Sequence, residues 1–150
     1  MKKIFLLLLF LSIQFSFAQS HINQINTFLD NWHHAAAVAD EETFFGSMTQ
    51  DARYIGTDAT ENWERDELKE WSKKYFDQES AWDFKRIERN IYLSEDQKFA
   101  WFDEKLDTWM GICRGSGVLI LTDSGWKLKH YVLSVTLPNE KTDEFLKLTK

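Results

Sequence analysis

The chain has one cysteine, one proline and six glycines in 150 residues, and its basic side chains are outnumbered by acidic ones. A single thiol, Cys113, excludes an internal disulfide, so the fold must rest on its core. Cys113 lies in a strand-like segment, where a buried thiol behaves as a small hydrophobe. A catalytic thiol needs a base or cation beside it, and the adjacent Arg114 falls on the opposite face of a strand. No proline-rich linker, low-complexity tract or internal repeat divides the chain. The zinc-binding pattern H-E-x-x-H is absent, and the neighbouring His33 and His34 point about 100° apart on a helix, unlike an i,i+4 ligand pair. Neither a metal nor any other cofactor is expected.

The first residues, MKKIFLLLLFLSIQFSFAQS, carry two lysines, an apolar run broken by Ser12, Gln14 and Ser16, and small residues near Ala18. That is the layout of a secretory signal peptide, with cleavage expected after Ala18. The run is shorter than the roughly 20 residues of a spanning helix, and no later stretch is long enough either. The expected organisation is a leader over residues 1–18 and one domain over 19–150, exported to a periplasmic or extracellular space and free of the membrane. The residue after the cleavage point is Gln19, not a cysteine that could take a lipid there. Without Lys2 and Lys3, 16 basic residues face 24 acidic ones, a formal charge of −8. Such a surface repels phosphate backbones, which argues against nucleic acid as a partner.

Apolar residues recur at Ile22, Ile25, Leu29, Trp32, Ala36 and Ala39, the spacing of an amphipathic helix. Asp40 is placed to cap a second short helix through Phe45, with Gly46 just beyond. Arg53 to Asp58 reads as a short strand entering a polar loop, and Asp66 to Asp77 as a third helix with Leu68, Trp71 and Tyr75 on its apolar face. Four strand segments follow, Trp82 to Leu93, Phe99 to Met110, Ile112 to Thr122 and Trp126 to Leu137, joined by turn residues and therefore antiparallel neighbours. A charged stretch with Phe145, Leu146 and Leu148 ends the chain. Helices first and a meander afterwards define an α+β domain with helices on one face of the sheet.

Three stretches in this order, Tyr54-Ile55-Gly56-Thr57-Asp58, Arg114-Gly115-Ser116-Gly117-Val118-Leu119 and Trp126 to Tyr131 followed by Leu133-Ser134, resemble the SnoaL-like group of the nuclear transport factor 2-like superfamily. The resemblance spans essentially the whole segment after the leader. It implies a cone-shaped, curved antiparallel or mixed sheet wrapped around a long N-terminal helix, as in nuclear transport factor 2-like and cystatin-like folds. It also implies a deep cavity between the two and homodimerisation through the sheet's outer face. It supplies no reaction, since relatives include cyclases, isomerases, dehydratases, hydrolases and structural hub domains. No Tyr and Asp set here matches the ketosteroid isomerase constellation position by position.

The last strand segment places Trp126, Leu128, His130, Val132 and Ser134 on one face if alternation is unbroken. An inward His130 suits general acid–base work or ligand recognition, or is held by a structural partner; Ser134 would be a hydrogen-bonding wall, since no nucleophile elbow surrounds it. On Phe99 to Met110 neither face is purely apolar. Asp103 beside Trp101 is the first choice for a proton-transfer carboxylate and Glu104 its rival, although solvated or paired acids are the commoner outcome. Asp58 is a possible rim residue, Arg114 a possible carboxylate anchor or ion-pair partner, and His33 a group that could look into the cavity from the helix. Trp32, Trp71, Trp101 and Trp126 are the tryptophans that would wall a cavity for a flat apolar ligand, or simply fill the core. The functional expectation is a small-molecule pocket, with proton-transfer catalysis of lyase, isomerase or hydrolase type, a non-catalytic binder or a structural dimerisation domain all open.

Overall fold

The computed structural model describes residues 2–148, and side chains for 19–148. The expected leader, residues 1–18, and its cleavage point lie outside the residues whose side chains are described. Helix α1 (Lys2–Ala37) buries Ile25, Leu29, Trp32 and Ala36, four positions on one helical face. It stops where Ala39 turns to positive φ. Asp40 then caps α2 (Glu41–Gly46), its carboxylate accepting the Thr43 N–H at 3.0 Å, and α2 drives Phe44 and Phe45 into the core.

Strands β1 (Met48–Ile55) and β2 (Asn62–Glu64) precede α3 (Arg65–Phe76), whose first turn is tied by Glu67 accepting the Glu64 N–H at 2.7 Å. Strands β3 (Lys85–Leu93), β4 (Phe99–Thr108), β5 (Gly111–Thr122) and β6 (Gly125–Val135) form successive antiparallel hairpins. A 3-10 turn (Asn139–Lys141) and α4 (Thr142–Leu148) follow. The sheet order is β2-β1-β6-β5-β4-β3, with β1 parallel to β6. This is an α+β fold with a curved, open, mixed sheet against an N-terminal helix. β1 begins earlier than its sequence suggests, and β2 replaces part of the expected loop; both are too polar to announce themselves as strands.

The layer between α1 and the sheet is filled. Trp32 stacks on Phe44 at 4.9 Å between ring centres and meets Tyr131 edge-on at 4.8 Å, while Phe102 closes the side. Burying each such side chain stabilises the fold by about 1.5–3 kcal/mol. The open space expected between α1 and the sheet is therefore occupied by aromatic volume, and the hollow lies to one side, under α3.

The inward rows are Ala100, Phe102, Glu104 and Leu106 on β4, and Cys113, Gly115, Gly117 and Leu119 on β5. On β6 the alternation breaks. Val118 pairs with His130 but Leu119 pairs with Leu128, so Lys129 is an extra residue with no partner on β5. Such a bulge lets two successive side chains share one side. Trp126 and Leu128 point in as expected, whereas the next inward residues are Tyr131 and Leu133. The expectation that His130 and Ser134 face inward is corrected by this one residue. On β4 the inward carboxylate is Glu104, which is 2 % exposed, rather than Asp103, which sits on the outer face and accepts a hydrogen bond from Asn90 at 3.1 Å.

Candidate functional site

Two hollows flank Phe84. The first is a recess of about 160 Å³ beneath α3. The i, i+3, i+7 spacing of Leu68, Trp71 and Tyr75 turns one face of α3 over it, and Ala81, Trp82 and Phe84 close the side as the chain leaves the helix. The loop between β1 and β2 contributes Gly56, Thr57 and Glu61, and β2 contributes Trp63; the β4–β5 turn adds Trp109 and Met110; Tyr54 and Leu133 are also in the lining. Trp109 is 81 % exposed and stands at the rim.

Glu61 is the one charged side chain of this lining. Its Oε2 accepts the Asp58 N–H at 3.1 Å, and its carbonyl accepts the Gly56 N–H at 3.0 Å. The carboxylate thus folds over Gly56, where a Cβ would fall 2.1 Å from Oε2; only glycine leaves it this seat. Asp58 points elsewhere, accepting the Thr60 N–H and hydroxyl at 2.9 and 2.6 Å, bonds that lower its pKa. It closes the loop that carries Glu61. Burial, followed by the charges of Glu61 and Glu104, pushes the Tyr54 phenol well above its ordinary range, so it remains protonated.

Behind this lining lies a buried polar cluster centred on Glu104. Its Oε1 receives His33 Nε2 at 2.8 Å and the Tyr131 hydroxyl at 3.1 Å; its Oε2 receives Arg89 Nε at 2.8 Å. Arg89 reaches on to Asp30 at 2.9 Å and to the Asn26 carbonyl at 3.2 Å. Burial is the largest influence on Glu104 and would raise its pKa, but His33 and Arg89 together outweigh it and hold the carboxyl below the ordinary value. An ionised carboxylate only accepts, so His33 Nε2 carries the hydrogen of this bond and donates it. His33 also borders the second hollow, a groove of about 160 Å³ with Asp30, His34, Asp83, Phe84 and Arg86. Among the described residues no cluster of His, Cys, Asp or Glu has the arrangement of a metal site.

The residues singled out in the sequence are dispersed. Trp71 lines the recess, Trp32 lies one layer below it with its ring 6.5 Å from Tyr54, and His33 belongs to the polar cluster. Trp126 is buried beside His21, their ring centres 5.6 Å apart. His130, Asp103, Trp101, Arg114 and Ser134 share the outer face of the sheet, and neither His130 nor Asp103 lines either of the two hollows beside Phe84. Tyr54, Trp63, Tyr75, Trp82 and Trp109 also line the recess, a role the sequence does not mark residue by residue, although the density of aromatics between residues 63 and 84 marks the region. From sequence Glu104 is only the rival of Asp103, since its advantage depends on Arg89 and His33 from other elements.

The profile of the SnoaL-like domain family matches residues 25–138. Among solved structures, a candidate dehydratase of the NTF2-like family from Streptomyces avermitilis superposes with a TM-score of 0.69 at 14% identity, covering 81% of this chain and 99% of that one. An NTF2-like protein of unknown function from Pseudomonas putida KT2440 gives 0.65 at 9% identity, with 83% and 92% covered. A candidate ketosteroid isomerase from Parabacteroides distasonis gives 0.61 at 17%, with 76% and 86% covered. No curated protein sequence matches the chain. The family profile and the superpositions agree: the chain belongs to the SnoaL-like domain family and has the NTF2-like fold.

Proposed function

We propose that this SnoaL-like domain binds a compact organic molecule in the recess under α3. The observation that carries the reading is the lining itself, in which seven aromatic side chains surround a volume of about 160 Å³ with a single carboxylate at its edge. An engineered apolar cavity of about 150 Å³ accepts benzene, so the occupant, or the part of it that enters, is of that size. A thermal-shift screen of benzene-sized compounds tests it. A ligand present at about 100 times its Kd stabilises by about 2.7 kcal/mol, and Trp71→Ala should abolish the shift. A ligand that stabilises the parent and Trp71→Ala equally would place binding elsewhere.

A second reading, proton transfer, is favoured by His33. Its Nε2 is fixed on an ionised Glu104 and its Nδ1 has no partner among the described residues, the arrangement of a base oriented by a carboxylate. His33→Gln would then remove turnover of a substrate held in the groove that His33 borders, while ligand binding in the recess under α3 persists. The further proposals are export, with a mature chain whose mass begins at Gln19, and homodimerisation through the outer sheet face. There Tyr92 stacks on Trp101 at 5.8 Å, and both, with Phe99, are about half exposed.

A further inference from the structure

We infer that the recess takes an organic cation, an alkylated ammonium group, with Glu61 as its counter-charge. This rests on the ligand-binding reading above and narrows it. The faces of indole and phenol rings carry negative charge density, and a cation within about 6 Å of a ring centre is attracted to it. Trp63 and Trp71 lie 4.6 Å apart at 34°, Trp71 and Tyr75 5.4 Å at 50°, Tyr75 and Trp82 6.4 Å at 70°. Successive rings are therefore tilted against one another along the wall of the recess. Two of them already attract a cation of the chain itself: the Lys74 ammonium lies 5.5 Å from the centre of Trp71 and 4.8 Å from that of Tyr75, without belonging to the lining.

Charge decides between a cation and a neutral guest. No Lys, Arg or His lines the recess, and Glu61 has no ion-pair partner among the described residues. A neutral apolar molecule filling the space would take water from that carboxylate and return nothing, an unfavourable exchange. A cation converts the same carboxylate into a favourable contact. A primary ammonium would bring three donors to a site whose side-chain acceptors are few, whereas an alkylated one presents methyl groups to the rings and spreads its charge. The volume fits a trimethylammonium head rather than a drug-sized molecule.

Isothermal titration of the folded protein with tetramethylammonium, choline and 3,3-dimethylbutan-1-ol, the neutral isostere of choline, tests the inference. Choline should bind at least about tenfold more tightly than the isostere, a margin in keeping with a partly desolvated cation over several rings. Glu61→Gln, which retains an acceptor for the Asp58 N–H, should weaken choline about tenfold and leave the isostere unchanged or improved. Equal affinities for choline and the isostere, insensitive to Glu61→Gln, would overturn the cation while leaving the recess as an apolar site. If neither these probes nor benzene-sized neutral compounds bind at millimolar concentration, the ligand-binding reading fails with it.

Discussion

Replacing Glu104 by Gln keeps the shape of the side chain and removes its charge. In the native cluster two oxygens receive His33 at 2.8 Å, Tyr131 at 3.1 Å and Arg89 at 2.8 Å, three donors and no acceptor. An amide offers one oxygen and one NH2 group. Whichever way it is turned, its NH2 faces a donor, either Arg89 or the His33–Tyr131 pair. Arg89, whose side chain has no exposure, would keep only Asp30 as a counter-charge. Breaking a buried pair by removing one member costs about 3–5 kcal/mol, and domains of this size hold about 5–15 kcal/mol in total. Glu104→Gln should therefore fold, with a Tm lower by about 10 °C. The pH profile carries a second signature. The folded pKa of Glu104 lies below the ordinary value of 4.5, so its contribution is complete above that value and is lost as pH falls from 4.5 toward the folded pKa. The variant has no such group, and its stability should fall less steeply over that window. Urea unfolding from pH 3 to 7 reads both. A variant as stable as the parent at pH 7, or one with the same acid slope, would refute the assignment of an ionised, donor-saturated Glu104.

Gly115 faces the same cluster, and a Cβ there would lie 2.3 Å from the Tyr131 hydroxyl oxygen and 2.9 Å from Glu104 Oε1. Gly115→Ala should destabilise by about 1–3 kcal/mol, measured by chemical unfolding, because the neighbours that would have to move are themselves bonded. Trp101→Lys should leave the monomer's stability nearly unchanged and convert the proposed dimer to monomer in analytical ultracentrifugation, since Trp101 is half exposed on the outer face. A dimer that survives the lysine would place the subunit contact elsewhere.

Much of the fold is legible in the chain because its information is local. The stripe of Ile25, Leu29, Trp32 and Ala36, the capping Asp40 and the turn residues between the last four strands each act within a few residues of themselves. The phase of β6 is not local: Lys127 to His130 alternates normally in sequence, and only the pairing of Val118 and Leu119 across β5 reveals that Lys129 is surplus. Asp103 and Glu104 are adjacent carboxylates on a strand with mixed faces, and the choice between them is made by Arg89 on β3 and His33 on α1. The recess draws Trp63, Trp82 and Trp109 from segments with little or no periodicity, so no single window of sequence contains it.

Lys129, surplus in the ladder with β5, divides the final strand into two halves of opposite parity. Removing that residue would restore unbroken alternation with Tyr131 and Leu133 still directed inward, so a change of length at this one place is silent to the interior. The same deletion before Glu104 in β4 would turn the carboxylate toward water and leave the buried Arg89 guanidinium with Asp30 as its only counter-charge. Tolerance to insertion and deletion along the sheet is therefore set by where the ladder already contains a spare step.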